Sequence, residues 1–169
     1  VLVQRRPQGL AGYPGQQGGN AIADVLFGDY NPAGRLPVTY YKSVDQLPPF
    51  ENYNMKGRTY RYFDKKPLYP FGFGLSYTKF KYSNLKFPAN PSSEKDFEVS
   101  VDVTNIGERE GDEVVELYLK DEKASTTRPI VQLEGFERIS LKKGESKTVR
   151  FTITPRQLSL IDKKGQRVI

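Results

Sequence analysis

The strongest constraint on the fold is a regular alternation of apolar and polar residues in the second half of the chain. The segment DFEVSVDVTN places Phe97, Val99, Val101 and Val103 on one face, with polar residues between them. Because side chains along a β-strand point alternately to opposite faces, this pattern predicts a half-buried strand. The segment KTVRFTITP repeats the alternation with the same regularity. This half of the protein is therefore predicted to be β-structure.

Further strand patterns follow in DEVVELYLKD, IVQLEGFERISL and LSLID. In the first of these, Val115, Leu117 and Leu119 are predicted to point inward, and Gly107, Gly111 and Lys143-Gly144 supply turns. About six short strands at this spacing predict an antiparallel β-sandwich, a fold that typically has about seven. The final segment DKKGQRVI begins another hairpin arm, so the last strand is expected to be truncated.

The first half of the chain carries one clear helix pattern, in GGNAIADVLFGDYNPAGRLP. Asn20 is the predicted N-cap, apolar residues follow over positions 22–27, and Gly28 is the predicted C-terminal stop. Nothing else in the chain is evidently shaped to cover this apolar face. The pattern therefore indicates that a partner surface is missing.

Between Lys42 and Pro70 the chain is predicted to be extended and irregular, with four prolines and scattered aromatic residues. A structureless stretch of this length is uncommon inside a compact domain. It is more typical of a segment that lies over a neighbouring surface. Residues 42–78 are accordingly interpreted as an extended crossing segment, called the strap below.

Composition and charge exclude several kinds of site. The chain has no cysteine and no histidine, which removes disulfides, zinc sites built on thiolate or imidazole, and Ser-His or Cys-His nucleophiles. No metal and no cofactor are predicted. The net charge of +6 is uneven: residues 1–90 hold 12 Lys and Arg against 5 Asp and Glu, and residues 91–169 hold 14 against 15. Because the chain has no nucleic-acid-binding motif, no nucleic-acid partner is expected. It also lacks a run of about 18 apolar residues, so no membrane span is predicted.

Three long blocks resemble the C-terminal portion of a family 3 glycoside hydrolase of the β-glucosidase and β-xylosidase type. They are AGYPGQQGGNAIADVLFGDYNPAGRLPVTYY, then GRTYRYFDKKPLYPFGFGLSYTKFKYSNL, and then VDVTNIGEREGDEVVELYLKDEKASTTRPIVQLEGFERISLKKGESKTVRFTIT. The resemblance implies that residues 1–41 end an α/β sandwich domain. Residues 42–78 would cross to the next domain, and residues 79–169 would form a fibronectin type III-like β-sandwich. The start, VLVQRRPQGL, departs from the hydrophobic strand that the family has there.

The resemblance also places the chemistry of the family outside this chain. Retaining glycoside hydrolysis needs two carboxyl groups about 5 Å apart. In the family one is an Asp on an N-terminal barrel and the other a Glu on the α/β domain, both upstream of Ala11. No catalytic residue is therefore predicted here. The acids Asp24, Asp29, Asp112 and Glu113 are interpreted as surface or capping carboxylates.

Two groups of aromatic and basic residues are of interest. In LYPFGFGLSYTKF, the aromatic residues are expected to fill the seam between the domains: Tyr69, Phe71, Phe73, Tyr77 and Phe80. In NMKGRTYRYF, Arg58, Tyr60 and Arg61 are the predicted substrate contacts, because a strap near an active-site mouth would place planar donors and aromatic faces beside an outer sugar. The competing interpretation is that these arginines pair with acids on other domains.

The leading hypothesis is a C-terminal fragment of a retaining β-glycosidase acting on β-glucosides or β-xylosides. Its partners would be the upstream catalytic domains of the same parent chain and, through the parent, an oligosaccharide. The alternative is a freestanding fibronectin III-like module that binds a glycan or a protein, which an exposed row of aromatic side chains would support. Tyr118 is the one aromatic residue predicted at an outward strand position. The resemblance favours a secreted or periplasmic location.

Overall fold

Antiparallel strands dominate the second half of the protein, in a computed structural model that describes residues 12–123, 127–162 and 164–168. Within these ranges the strands are β1 Phe80–Lys86, β2 Phe97–Asn105, β3 Gly111–Leu119, β4 Gln132–Leu141, β5 Ser146–Ile153, β6 Leu160–Ile161 and β7 Arg167–Val168. One sheet has the order β1-β2-β5, a second pairs β3 with β4, and β6 pairs with β7 in a short hairpin. All of these pairings are antiparallel. The prediction of a mainly β, antiparallel sandwich is confirmed. The segment VLVQRRPQGL lies outside the described residues.

The core lies between the two larger sheets. Val103 of β2, Val115 of β3, Leu141 of β4 and Val149 of β5 are all at most 3% exposed and form one cluster. Burying one such side chain stabilises the fold by about 1.5–3 kcal/mol. The predicted inward faces of β2 and β5 are therefore correct. In β3 the prediction holds fully only for Val115, since the two leucines that follow are half-buried.

Short helices occupy the remaining elements: α1 Gly18–Phe27, a 3-10 helix Val44–Gln46, α2 Thr59–Tyr62 and α3 Pro155–Leu158. The predicted end of α1 is confirmed, because Gly28 adopts the left-handed conformation at φ 90° and its N–H donates to Asp24 O. The predicted start is wrong. Gln17 is the N-cap, and Asn20 lies inside the helix, where its side-chain amide donates to Gln17 Oε1 at 2.6 Å.

The strap runs back along the end of the preceding segment. The N–H of Leu68 donates to Tyr40 O at 2.8 Å, and the N–H of Tyr40 donates to Tyr69 O at 2.8 Å. The Tyr41 ring meets the buried Phe63 ring edge-on at 4.8 Å. These contacts hold the strap in place. Apart from two one-turn helices, the strap is irregular, as predicted. The boundaries at residues 41/42 and 78/79 stay predictions.

The aromatic stretch at the end of the strap contacts both halves of the chain. Phe80 packs against the sandwich core. The hydroxyl of Tyr77 donates to Val25 O in α1 at 2.7 Å, and the Arg109 guanidinium lies 5.6 Å from the Tyr77 ring centroid. These side chains therefore link the first half of the chain to the sandwich, which is the arrangement expected of aromatic residues at a seam.

Candidate functional site

The residues predicted to contact substrate are at the one-turn helix α2 of the strap. Thr59, its first residue, has φ 52°, a value that residues other than glycine seldom adopt. Its N–H donates to the Tyr41 hydroxyl at 2.7 Å. Unusual backbone conformations are found where surrounding contacts impose them, often at functional positions. The turn therefore fixes the directions of the side chains on either side of it.

Arg58 binds the backbone of the strap itself. Its guanidinium donates to the carbonyl oxygens of Asn52 at 2.5 Å, Asn54 at 3.2 Å and Pro49 at 3.3 Å. Three carbonyls on one planar donor hold the 49–54 loop against α2. Arg58 thus positions a loop in this structure.

Tyr60 packs against both the strap and the sandwich. Its ring stacks on Phe71 at 4.3 Å and lies edge-on to Tyr118 at 6.1 Å. Its hydroxyl accepts a hydrogen bond from the N–H of Leu133 at 3.2 Å. Aromatic pairs of this kind are worth about 0.5–1.5 kcal/mol beyond the area they bury. Tyr60 therefore anchors the strap to β3 and β4.

Arg61 reaches the start of β4. Its Nη2 donates to Gln132 Oε1 at 2.6 Å, and its carbonyl accepts a hydrogen bond from Ile130 N at 2.6 Å. Its Nε is buried and has no hydrogen-bond partner among the described residues. A buried donor without a partner carries a desolvation cost of about 1–3 kcal/mol. This nitrogen is the one unsatisfied polar group of the three predicted contacts, within the part of the chain that the structure describes.

The structure brings Tyr60 and Arg61 together at one end of the β3–β4 sheet. Arg58 is directed to a different set of partners in the 49–54 loop. The three residues therefore do not form a single constellation, and their role as substrate contacts stays a prediction. Gln132, which sequence reasoning missed, joins Arg61 to the sandwich.

A groove of about 230 Å³ lies beside Gln132, between the β3–β4 sheet and α3. The Arg128 guanidinium pairs with Asp121 at 2.7 Å there, and this hydrogen bond lowers the pKa of the Asp121 carboxyl. The groove is lined by both polar and apolar side chains: Leu119, Lys120, Asp121, Arg128, Pro129, Gln132, Glu134, Gln157 and Leu158.

One carboxylate was assigned to the wrong environment. Glu113 is 8% exposed and lies on the inner face of β3, with Val115 two residues further on the same face. It forms an ion pair with Arg35 and accepts a hydrogen bond from the Tyr82 hydroxyl at 2.7 Å. Burial of the Tyr82 hydroxyl raises the pKa of the phenol, and the hydrogen bond to Glu113 raises it further. The interpretation of Glu113 as a surface carboxylate is therefore wrong. Sequence offered one signal, since the residue falls on the inward parity of β3.

The outward aromatic residues also differ from expectation. Tyr118 is half-buried beneath the strap, and its hydroxyl donates to Glu116 Oε2 at 2.6 Å. Phe136 of β4 is 70% exposed, and Phe87, just after β1, is 62% exposed. Phe136 lies in the β3–β4 sheet, whereas Phe87 follows a strand of the other sheet, so the two do not form the aromatic row that a glycan-binding face would present.

The described residues present neither a metal-binding cluster nor a membrane-spanning helix. Within residues 12–123, 127–162 and 164–168, no group of three or more Asp and Glu side chains is placed to hold a metal ion. In the same ranges no helix has the length and apolar character needed to cross a bilayer.

Two family models match the chain. The glycosyl hydrolase family 3 C-terminal domain matches residues 10–77, and the fibronectin type III-like domain matches residues 113–169. The first match covers α1 and nearly all of the strap, and the second runs from Glu113 in β3 to the end of the chain. The β-rich half is thus a fibronectin III-like β-sandwich.

Relatives and solved structures agree with these matches. A periplasmic β-glucosidase from Salmonella typhimurium is 50% identical over an alignment of 155 residues, which covers 83% of this chain and 20% of the relative. A xylan 1,4-β-xylosidase from Xylanibacter ruminicola is 47% identical over 152 residues, 90% of this chain and 17% of the relative. A β-glucosidase structure from Erythrobacter marinus superposes with a TM-score of 0.79 at 42% identity, covering 93% of this chain and 21% of that one.

The chain belongs to glycoside hydrolase family 3 and corresponds to the C-terminal portion of its β-glucosidases and β-xylosidases. It spans about a fifth of the length of the curated relatives it matches. The sequence-based identification of the family is therefore confirmed.

Proposed function

We propose that this chain is the C-terminal part of a retaining β-glycosidase that hydrolyses β-glucosides or β-xylosides of plant-wall oligosaccharides, and that its role there is structural. The strap and α1 would pack against the upstream α/β domain, and the sandwich would brace that assembly. The observation that carries this proposal is the apolar surface of the first half of the chain.

That surface is large and uncovered. Phe27 of α1 is 86% exposed, and Phe50 and Tyr53 of the strap are 88% and 87% exposed. Other exposed large side chains before β1 include Ile22, Leu26, Val38, Val44, Met55, Leu68 and Leu75. Large apolar side chains exposed in this number before β1 indicate an interaction surface. Its proposed occupant is the upstream domain, because the matched relatives are about five times longer than this chain.

The chemical step would belong to the upstream part of the parent enzyme. A nucleophilic carboxylate and an acid/base carboxylate about 5 Å apart are required for retaining hydrolysis, and no catalytic residue is assigned to this chain. The contribution of the strap would be binding. Arg58 and Tyr60 fix the fold of the strap, and Arg61, whose Nη2 donates to Gln132 at the edge of the groove, is the strongest candidate for a contact with an outer sugar.

A chimera tests this proposal. In the Salmonella typhimurium β-glucosidase, the segment that aligns with this chain is exchanged for the chain itself, and a second protein lacks that segment altogether. Hydrolysis of p-nitrophenyl β-glucoside and β-xyloside is measured for both proteins and for this chain alone. We expect activity in the chimera, and none in the truncated enzyme or in the isolated chain.

Variants of the chimera test the proposed interface and the proposed sugar contact separately. In the chimera, Phe27→Ser places a polar group on the proposed interface and should lower the yield of active enzyme. Phe136→Ser changes an exposed residue of β4 away from that interface and should leave the yield unchanged. Arg61→Ala should raise KM for an oligosaccharide more than for the aryl glucoside. A truncated enzyme as active as the chimera would contradict the structural role, and retention of an immobilised oligosaccharide by the isolated chain would favour the binding-module alternative.

A further inference from the structure

The sandwich carries a charged side chain in a position where its core would be expected to be apolar. Glu113 lies on the inner face of β3, and its side chain is 10% exposed. A carboxylate removed from water costs several kcal/mol unless a charge or hydrogen bonds compensate it. The side chain therefore needs a partner.

Part of that compensation comes from the sandwich and part from outside it. Tyr82 of β1 donates its hydroxyl to Glu113 Oε1 at 2.7 Å. The opposite charge is Arg35, whose Nη2 pairs with Glu113 Oε2 and whose side chain is 14% exposed. Arg35 belongs to the turn before the strap, 78 residues earlier in the chain. A buried charge of the sandwich is thus neutralised by a residue of the preceding segment.

The turn that carries Arg35 is itself held firmly. Arg35 Nη1 donates to Ala33 O at 3.4 Å and to Gly34 O at 3.3 Å. The N–H of Leu36 donates to Phe73 O at 2.9 Å, and Leu36 O accepts from Gly72 N at 2.8 Å. Ala33 is buried, at 3% exposure. The guanidinium is therefore presented in a preorganised geometry.

A second contact joins the same two regions. The Asn31 side-chain amide donates to Glu110 O at 3.0 Å, and its oxygen accepts from Tyr77 N at 2.8 Å. Gly111, the first residue of β3, leaves the space for this amide, because a Cβ there would overlap Asn31 Nδ2. Residues 31–36 therefore contact both the start of β3 and its buried carboxylate.

We propose that Glu113 and Tyr82 form a guanidinium-binding site on the sandwich whose ligand is Arg35, and that occupation of this site makes residues 31–36 part of the folding unit of the sandwich. The unit that folds cooperatively would then begin near Asn31 and not at residue 79. The sandwich and the preceding segment would move as one body. This inference is independent of the proposed glycosidase function.

The test is a double-mutant cycle in the full chain, with Arg35→Met, Glu113→Gln and the double variant. Each single change leaves one charge buried and unpaired, which should lower the folding equilibrium constant by roughly 10²- to 10³-fold. The double variant should lose much less than the two single losses combined. As the matched control, the more exposed pair Arg138 and Asp112 should show a coupling below about fivefold.

Hydrogen exchange separates a folding unit from a local contact. In Arg35→Met, amides of β2 and β5, which belong to the sheet that does not contain Glu113, should lose protection together with those of residues 31–78. If only residues 31–78 lose protection while the strands keep theirs, the proposal is overturned. Should Arg35→Met fail to fold, recovery of folding in the double variant supports the proposal, and continued failure overturns it.

Discussion

Removal of the Asn105 side chain should destabilise the protein more than any exposed polar substitution. Asn105 is the last residue of β2 and is fully buried. Its side-chain oxygen accepts from Thr78 Oγ1 at 2.7 Å and Gly107 N at 3.1 Å, and its amide donates to Arg109 O at 2.8 Å and Leu141 O at 3.1 Å. One amide therefore satisfies four groups from three parts of the chain.

The expected cost of Asn105→Ala follows from those four groups. Each buried group left unsatisfied costs about 1–3 kcal/mol, and the partners relax only in part, so we expect a total loss of about 3–5 kcal/mol. Asn105→Asp should also destabilise, because a carboxylate keeps the two acceptor contacts and cannot donate to the two carbonyls.

Urea denaturation followed by circular dichroism measures this effect. With a slope of about 2 kcal/mol per molar urea, a loss of that size lowers the midpoint by about 2 M. Asn20→Ala is the matched control. Asn20 is exposed, and among the described residues its side chain donates to Gln17, at 2.6 Å, so the effect on the free energy of unfolding should be within about 0.5 kcal/mol. A loss below about 1 kcal/mol for Asn105→Ala, at an unchanged slope, would refute the reasoning.

Two further outcomes are expected. A Cβ at Gly135 would lie 2.9 Å from Cδ1 of the Phe151 ring, so Gly135→Ala should cost about 1–3 kcal/mol of stability by overpacking. At Gly19 of α1 a Cβ would meet open space, so Gly19→Ala should raise the melting temperature slightly in a parallel thermal melt. The pKa of Asp112 is lowered, chiefly by the hydrogen bond from Ser140, so its contribution to stability is present above about pH 4 and is lost as the pH falls through the lower folded-state pKa. Ser140→Ala should therefore flatten the acid side of a stability-against-pH curve, and an unchanged acid side would contradict this assignment.

Much of the β-structure was predictable because strand periodicity is local. Val99, Val103 and Val149 alternate with polar neighbours, and each lies on the buried face that the alternation indicates. The end of α1 at Gly28 was predictable for a similar reason, since the left-handed turn depends on one residue. The start of α1 was not, because Asn20 and Gln17 are both polar and the sequence does not show which of them the chain uses as the cap.

The candidate site was predictable only as a list of residues. Sequence identified Arg58, Tyr60 and Arg61 by their chemistry, and in the structure Arg58 is the N-cap of α2 while Tyr60 and Arg61 lie within it. Their directions depend on Thr59, which combines a positive φ with a tertiary hydrogen bond from its N–H to the Tyr41 hydroxyl. Local spacing therefore did not reveal that Arg58 turns to the 49–54 loop while Tyr60 and Arg61 face the sandwich.

The sequence by itself determined the family of this protein, the strand pattern and the apolar faces of its sandwich, because each of these depends on neighbouring residues along the chain. Only the tertiary structure decided that Glu113 is buried and that its counter-ion is Arg35. A carboxylate on a strand is stable on either face, and the choice depends on whether an opposite charge arrives from elsewhere in the fold. Contacts between residues 78 positions apart are set by how the segments pack, which periodicity does not encode.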